Sequence, residues 1–257
     1  MSPARPPTRR ILGVEIAVTD YAGELTLIEG LIAEGGRGYL CHAAVNAVMN
    51  ARRRPEAAAA LRDSTLNLPD GMPLVWALRS LGEEIHDRVY GPDLMLLACD
   101  RVPARHFLYG GRDEGATGAL ARALHARFPE IQIAGTWTPP YRPLSAAERR
   151  DVAARVNDSG ADVVWVGTGS PAQEIWMRSM RDSLEAPVLV GVGAAFNFHA
   201  GLTPQAPAWM QRRGLEWLYR VGREPRRLAP RYLRDNPAFI AAFARQWHKE
   251  RPRRDRP

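Results

Sequence analysis

Apolar segments of strand length alternate along this chain with segments whose apolar residues recur every three or four positions. The first pattern is typical of buried strands and the second of amphipathic helices. Strands are predicted at residues 11–18, 38–42, 66–68, 106–109, 131–136, 162–166 and 187–192. Helices are predicted at residues 44–53, 55–62, 73–81, 92–101, 116–128, 145–157 and 171–183. This alternation predicts an α/β fold in which helices cover both faces of a parallel sheet.

The pattern changes after about residue 202, where no further strands are predicted. The remainder is rich in aromatic residues and arginine, has helical character, and contains Pro225, Pro230 and Pro237, at which we predict helix breaks. We therefore divide the chain into an α/β domain at residues 1–204 and a C-terminal, Arg-rich helical appendage at residues 205–257.

The uneven distribution of charge along the chain indicates a class of binding partner. The chain has 257 residues and a formal net charge of +7, with +9 carried by residues 211–257 and −2 by the first 210. Such a cationic tail indicates an anionic partner, either membrane phosphates or a nucleic acid. Two cysteines are too few for a disulfide framework, and the chain has no run of about 18 apolar residues that would predict a spanning helix. Glu15 interrupts the short apolar stretch that imitates a signal peptide.

Three turns follow predicted strands, at the sheet edge where open α/β sheets bind ligands. They are residues 69–73, 167–174 and 191–197, and we expect them on neighbouring strand ends. The second has the form G-x-G-x-x-A, close to the dinucleotide fingerprint in which backbone N–H groups hold a pyrophosphate. The next strand ends in Gly191 rather than in an acid that could bind ribose. An NAD-dependent oxidoreductase therefore stays an alternative, beside a bound nucleotide diphosphate and a tight turn without ligand.

Two charged residues near these turns are candidates for catalysis. Asp70 could take a proton from an attacking hydroxyl, and Arg88 could neutralise a phosphate. The structural alternatives are a common Pro-Asp-Gly turn for Asp70 and a surface ion pair for Arg88. The chain has no D-x-D and no H-E-x-x-H or H-x-H, so no metal site is predicted, and arginines and backbone dipoles would stabilise a leaving phosphate. It also lacks the G-x-S-x-G of serine hydrolases.

Several motifs occur in an ordered set that is more specific than any one of them. The set comprises LPDGMPLVW at residues 68–76, RVYGPD at 88–93, FLYGG at 107–111, VGTGSPAQE at 166–174, GVGAAFNFHAG at 191–201, APAW at 206–209, GLEWLYR at 214–220 and EPRR at 224–227. In this order and spacing the chain resembles the WecG/TagA/CpsF family of bacterial glycosyltransferases over roughly residues 10 to 245.

The resemblance implies an inverting, metal-independent transferase with a Rossmann-like core and no cofactor. Such an enzyme moves a sugar, N-acetylmannosamine or another hexose, from a UDP-sugar to a polyprenyl-diphosphate-linked saccharide for cell-surface polysaccharide. It implies a catalytic domain at residues 1–204 and a membrane-associating appendage at 205–257, hence a cytoplasmic protein on the inner face of the cell membrane, with no nucleic acid. Whether the protein forms a homo-oligomer is left open.

By resemblance, Asp70 matches the general base and Arg88 an active-site arginine. Further positions are expected to bind substrate: His42, Asn46, Gly71, Gly110, Gly167, Gly169, Gln173, Glu174, Gly193, Asn197, Arg220 and Arg227. Gln173 matches a substrate-contacting glutamine, and the last two arginines match positions that contact the diphosphate.

The chain departs from the family pattern at the end of its second strand. His42 and Ala44 stand where the family often has Thr-x-Asn, with Asn46 two positions further on. Ala172 replaces a usual Lys, and Asn197 a usual Asp. The first departure concerns the donor sugar, because that loop should help to read it. A non-enzymatic module that binds lipid or nucleic acid would explain the tail but not the glycine turns.

Overall fold

The computed structural model describes residues 5–250. It begins with an antiparallel hairpin, β1 (Thr8–Ile11) and β2 (Val14–Ala17). Six strands form one parallel sheet: β3 (Gly38–Ala43), β4 (Leu66–Pro69), β5 (Arg105–Gly110), β6 (Gln132–Trp137), β7 (Val163–Gly167) and β8 (Val188–Gly191). Their order across the sheet is β4-β3-β8-β7-β5-β6. The predicted fold class, α/β with a Rossmann-like parallel sheet, is confirmed.

The central strands are apolar throughout because helices cover both faces of the sheet. Successive residues of a strand point to opposite faces and join separate hydrophobic clusters. In β7, Val164 and Val166 belong to one cluster, whereas Val163 and Trp165 belong to the other. All four side chains are fully buried.

Twelve α-helices are found among the described residues, together with a 3₁₀ turn at Arg181–Ser183. They are α1 (Tyr21–Ala33), α2 (Val45–Ala51), α3 (Pro55–Arg62), α4 (Met72–Ser80), α5 (Gly91–Arg101), α6 (Glu114–Arg127), α7 (Ala146–Asp158), α8 (Ala172–Met180), α9 (Ala195–His199), α10 (Ala208–Arg212), α11 (Glu216–Arg223) and α12 (Pro225–Glu250). Helix α7 begins with a complete capping box, in which Ser145 and Glu148 each bond to the other's backbone N–H.

The first predicted element differs in the structure. Residues 11–18 were expected to form one strand, but the chain turns at Leu12 and Gly13 and the two sides pair as β1 and β2. Both turn residues have positive φ, 50° at Leu12 and 93° at Gly13, as a tight two-residue hairpin requires. The apolar stretch is therefore divided between the two strands.

The prediction of helix breaks in the appendage is also wrong at two positions. Helix α12 starts at Pro225 and runs without interruption through Pro230 and Pro237. Both internal prolines lie on the exposed side of the helix, where water can bond the carbonyls that lose an N–H partner. The opposite side is anchored by the buried side chains of Leu228 and Phe239.

Helix α12 packs along the α/β domain against α2. The Gln246 side chain accepts from the Leu12 N–H and donates to the Arg10 carbonyl, both at 2.7 Å. On α2's side, Arg53 pairs with the buried Asp235 carboxylate at 3.0 Å. The described part of the appendage thus contacts the hairpin and the sheet domain; the boundary at residue 204 stays a prediction.

Candidate active site

The carboxyl ends of four adjacent strands define the candidate site. Asp70 directly follows β4, His42 is near the end of β3, and Gly191 and Gly167 end β8 and β7. The expectation that the Asp70 turn and the two glycine turns lie on neighbouring strand ends is therefore wrong in part. Strand β3 intervenes, so Asp70 is two strands away from Gly191.

Asp70 lies in a turn that hydrogen bonds hold on both sides. Its N–H donates to the Ala43 carbonyl at 2.9 Å, which continues the β3–β4 pairing by one residue. Its Oδ1 accepts from the Gly91 N–H at the start of α5, also at 2.9 Å. Burial raises the pKa of Asp70, against the opposing effects of His42 and Arg88. A carboxylate with a raised pKa is a stronger proton acceptor than a free aspartate, as a general base requires.

Arg88 does not form the surface ion pair that was its structural alternative. Its Nη1 donates to Glu216 Oε2 at 2.8 Å, and the two side chains are only 10% and 12% exposed. Its Nη2 donates to Gln211 Oε1 at 3.0 Å, and the guanidinium carbon lies 3.9 Å from the centre of the Tyr90 ring. The Tyr90 hydroxyl donates to the other oxygen of Glu216 at 2.9 Å. Arg88 therefore sits in a buried polar network that spans the sheet domain and the appendage.

His42 is buried between two protein partners. Its Nδ1 lies 3.1 Å from the Gly191 carbonyl, so this nitrogen carries a hydrogen, and its Nε2 lies 3.3 Å from Glu24 Oε2 of α1. Burial lowers the pKa of His42, but the Glu24 carboxylate, Asp70 and the Gly191 carbonyl together outweigh burial, so the net direction is upward. The ring also packs against Gly91, where an added Cβ would lie 3.2 Å from His42 Cγ. The predicted contact with substrate stays a prediction, since both ring nitrogens already have partners.

Gln173 and Glu174 form the start of α8 and are almost fully buried. Gln173 Nε2 donates to Glu174 Oε1 at 3.1 Å. Burial raises the pKa of Glu174 to about 7. Gln173 Oε1 and Glu174 Oε2 have no hydrogen-bond partner among the described residues. Because buried acceptors are rarely left unpaired, these two oxygens are suited to hydroxyl or N–H donors of a ligand.

The five predicted glycines differ in what the backbone requires of them. Gly110 and Gly167 allow close packing: a Cβ at Gly110 would lie 2.8 Å from the Gly167 backbone, and one at Gly167 would lie 2.3 Å from Phe196. Gly169 and Gly193 instead adopt φ of 82° and 52°, which side chains rarely tolerate. Gly71 is the N-cap of α4, where a Cβ would meet Ala44 at an ordinary 3.4 Å. Ligand contact at all five stays a prediction.

Four further predicted positions are spread more widely. Asn46 on α2 and Asn197 on α9 are half-buried. Arg220 lies with its guanidinium carbon 5.8 Å from the centre of the Phe198 ring, close in the chain to Asn197. Arg227 is exposed and pairs with Glu224 on the surface of the appendage. The structure thus brings His42, Asp70 and Arg88 together, and Arg227 is not part of that group.

Sequence reasoning missed the carboxylates that neutralise this site. Glu24 lies on α1, for which no element was predicted, and is fully buried. Glu216 lies within the GLEWLYR segment, where an acid among aromatic residues was a visible signal that was not used. In residues 5–250 no three His, Cys, Asp or Glu side chains are grouped so that they could hold a metal ion.

The fold and the site together indicate an α/β enzyme with a buried carboxylate, Asp70, and a network of Arg88, Tyr90 and Glu216 at its strand ends. Comparison with known families identifies the class: the family model described as "Glycosyl transferase WecG/TagA/CpsF family" matches residues 9–253. The chain belongs to this family and is a glycosyltransferase, which confirms the resemblance seen in the sequence. The alternatives of an NAD-dependent oxidoreductase and of a non-enzymatic binding module are therefore set aside.

Two curated relatives carry the same name, N-acetylglucosaminyldiphosphoundecaprenol N-acetyl-beta-D-mannosaminyltransferase. The protein from Bacillus spizizenii is 30% identical over 195 residues, which cover 75% of this chain and 73% of the relative. The protein from Bacillus subtilis is 30% identical over 164 residues, which cover 63% of this chain and 62% of the relative.

Proposed function

We propose that the protein is an inverting transferase that moves a hexose from a UDP-sugar to a polyprenyl-diphosphate-linked saccharide. The names of the two relatives, which specify an undecaprenol-diphosphate acceptor and an N-acetylmannosaminyl donor group, support this reaction class. The observation that carries the proposal in this chain is the hydrogen-bonded Asp70 turn at the sheet edge, whose carboxylate accepts from the Gly91 N–H and whose carbonyl accepts from the largely buried Arg88 side chain.

In this reaction the oxygen of the acceptor hydroxyl attacks the anomeric carbon of the donor sugar, and Asp70 accepts the proton of that hydroxyl. Attack from the side opposite the diphosphate inverts that carbon and breaks its bond to the leaving oxygen. Arg88, Arg220 and Arg227 are assigned to the negative charge of diphosphate groups, without a metal ion. The oxygens of Gln173 and Glu174 that have no hydrogen-bond partner among the described residues are proposed to accept hydrogen bonds from hydroxyl or N–H groups of the UDP-sugar.

The identity of the sugar depends on the loop after β3. His42 and Ala44 stand where two polar side chains are usual, and the His42 ring is already bonded to Glu24 and Gly191. N-acetylmannosamine or another hexose is the proposed donor group. Incubation of the protein with a panel of UDP-sugars and a short-chain lipid diphosphate acceptor tests the reaction by mass spectrometry. Transfer from none of the donors would refute it.

We further propose that the appendage binds the anionic inner surface of the cell membrane. Support comes from α12, where Leu233, Pro237 and Ile240 form an exposed apolar stripe; Leu233 is 73% and Ile240 67% exposed. Exposed arginines, Arg226 and Arg234 among them, flank the stripe. Apolar side chains enter the headgroup layer while cations meet phosphates. Within residues 5–250, no helix combines the length and apolarity needed to cross a bilayer.

Cosedimentation with vesicles tests this surface. Leu233→Gln and Ile240→Gln should weaken binding to anionic vesicles, and added salt should weaken it further, since exposed charges are screened beyond about 8–10 Å. Tyr141→Ser, which changes a fully exposed aromatic residue outside the appendage, is the matched control and should bind as the wild type does. Unchanged binding of both α12 variants would exclude the stripe.

A further inference from the structure

The link between Arg88 and Glu216 joins the appendage to the candidate base. Glu216 is the first residue of α11, and both of its oxygens are used: one accepts from Arg88 at 2.8 Å and the other from the Tyr90 hydroxyl at 2.9 Å. A buried carboxylate that is fully bonded to two side chains holds both of them in one geometry. Glu216 therefore fixes two residues of the segment between α4 and α5.

The backbone before Glu216 is built for this approach. Gly214 adopts a φ of 68°, and a Cβ there would lie 2.7 Å from the Trp76 ring and 3.0 Å from Met72 Cβ. Only glycine fits at that distance without displacing α4. Gln211, three residues earlier, accepts from Arg88 and donates to the Ala206 carbonyl. The turn between α10 and α11 is thus seated directly over α4 and the Arg88 segment.

The same segment contacts Asp70 at two points. Arg88 Nη1 lies 3.4 Å from the Asp70 carbonyl oxygen. Gly91, which directly follows Tyr90, donates its N–H to Asp70 Oδ1 at 2.9 Å. Glu216 is consequently connected to the Asp70 backbone through Arg88 and to the Asp70 carboxylate through Tyr90 and Gly91.

We infer that Glu216 is a positioning residue, which holds residues 88–91 so that the Asp70 carboxylate keeps its place at the sheet edge. Packing of the appendage on the sheet domain and positioning of the Asp70 carboxylate are then coupled, because Glu216 belongs to the appendage. The inference rests on the proposed role of Asp70 as the base of a glycosyl transfer.

The charge of Glu216 also affects the pKa of Asp70, and a residue that only packs against the sheet domain would not have this effect. The Glu216 carboxylate acts in the same direction as burial and raises the pKa of Asp70, whereas His42 and Arg88 lower it. Glu216→Gln removes a negative charge and leaves Arg88 without the carboxylate that its side chain bonds, so that Asp70 is the acid that remains beside it. Both changes favour ionised Asp70, so its pKa falls and it becomes a weaker base.

The test compares Glu216→Gln with Asp235→Asn in the full-length protein. Asp235 is also a buried appendage carboxylate that binds an arginine of the sheet domain, Arg53, but no bond links it to Asp70. For Glu216→Gln we expect kcat to fall about 10-fold to 100-fold with little change in the donor KM, because a displaced base slows the chemical step. The acid limb of kcat/KM should move to lower pH.

Asp235→Asn should lower the melting temperature without moving the acid limb. If Glu216→Gln folds poorly, Tyr90→Phe provides a milder change: it removes one of the two bonds to Glu216, and we expect a smaller fall in kcat. An acid limb of Glu216→Gln that coincides with wild type, or an equal shift in Asp235→Asn, would overturn the inference. A wild-type protein that transfers no sugar would instead refute the proposed function.

Discussion

Replacing Asp70 with asparagine separates the chemistry of this residue from its structural role. Asparagine has the same shape and keeps an oxygen that can accept the 2.9 Å bond from the Gly91 N–H. The backbone bond from residue 70 to Ala43 is also unaffected. What is lost is the charge and the ability to take a proton, so turnover should fall roughly 10²–10⁴-fold, the usual contribution of a general base.

The same substitution should not weaken the fold. Burial raises the pKa of Asp70 above its ordinary value of 3.8. A raised carboxyl pKa means that the folded state binds a proton more readily than the unfolded state. The stability gained in this way is present at low pH and is lost as pH rises through the folded pKa. Asparagine does not ionise, so the Asp70→Asn variant does not lose stability in this way. At neutral pH it should melt at the same temperature as wild type or higher.

The assay combines three measurements on each protein: transfer rate, UDP binding by thermal shift, and melting temperature as a function of pH. Asp63→Asn is the control, because Asp63 is an exposed carboxylate whose pKa is lowered by its bond to Arg178. That variant should retain turnover and lose a little stability at neutral pH, the opposite sign. Near-normal turnover of Asp70→Asn would remove Asp70 from the mechanism, and a lower melting temperature would show that its charge is stabilising.

Three further predictions address the rest of the site. Burial raises the pKa of Glu174 to about 7, so stability from its neutral form is lost as pH rises through that value; Glu174→Gln should gain stability relative to wild type above neutral pH, measured by unfolding at a series of pH values. Arg220→Ala and Arg227→Ala should each lose turnover yet still cosediment with anionic vesicles, and full turnover would remove either arginine from the diphosphate site. Transfer should persist in excess chelator, whereas loss with EDTA and return with Mg²⁺ would contradict the metal-free proposal.

The parallel sheet could be predicted from the sequence because its strands are continuous apolar runs bounded by turn residues. The predicted strands at 66–68 and 162–166 both lie where the pattern put them, with bounds that differ by no more than one residue. Since residues at strand ends in a parallel sheet share one edge, this was enough to locate Asp70. It was not enough to give the order of strands, which places β3 between β4 and β8.

Helix α1 was missed for reasons that lie in its composition. Gly23 and Gly30 lower its helix propensity, and Glu24 occupies a fully buried position that an apolar pattern would leave to a hydrophobic residue. A start signal was nevertheless present, since Asp20 caps the helix by accepting from the Gly23 N–H at 2.9 Å. Helix α12 shows the reverse error, because prolines at the exposed side of a long, anchored helix do not end it.

The two carboxylates that sequence reasoning missed, Glu24 and Glu216, supply negative charge to the site. In the site, His42 and Arg88 each have a carboxylate partner from a distant helix: Glu24 of α1 for His42, and Glu216 of α11 for Arg88. The strand ends that carry the cations can be read from local patterns, but the helices that bring the acids are positioned by tertiary packing. A buried charge without a partner is strongly destabilising, so a cation predicted at the carboxyl edge of a buried sheet itself requires an acid nearby. Applied to this chain, that requirement directs attention to acids embedded in apolar segments, and Glu24 and Glu216 are both of that kind.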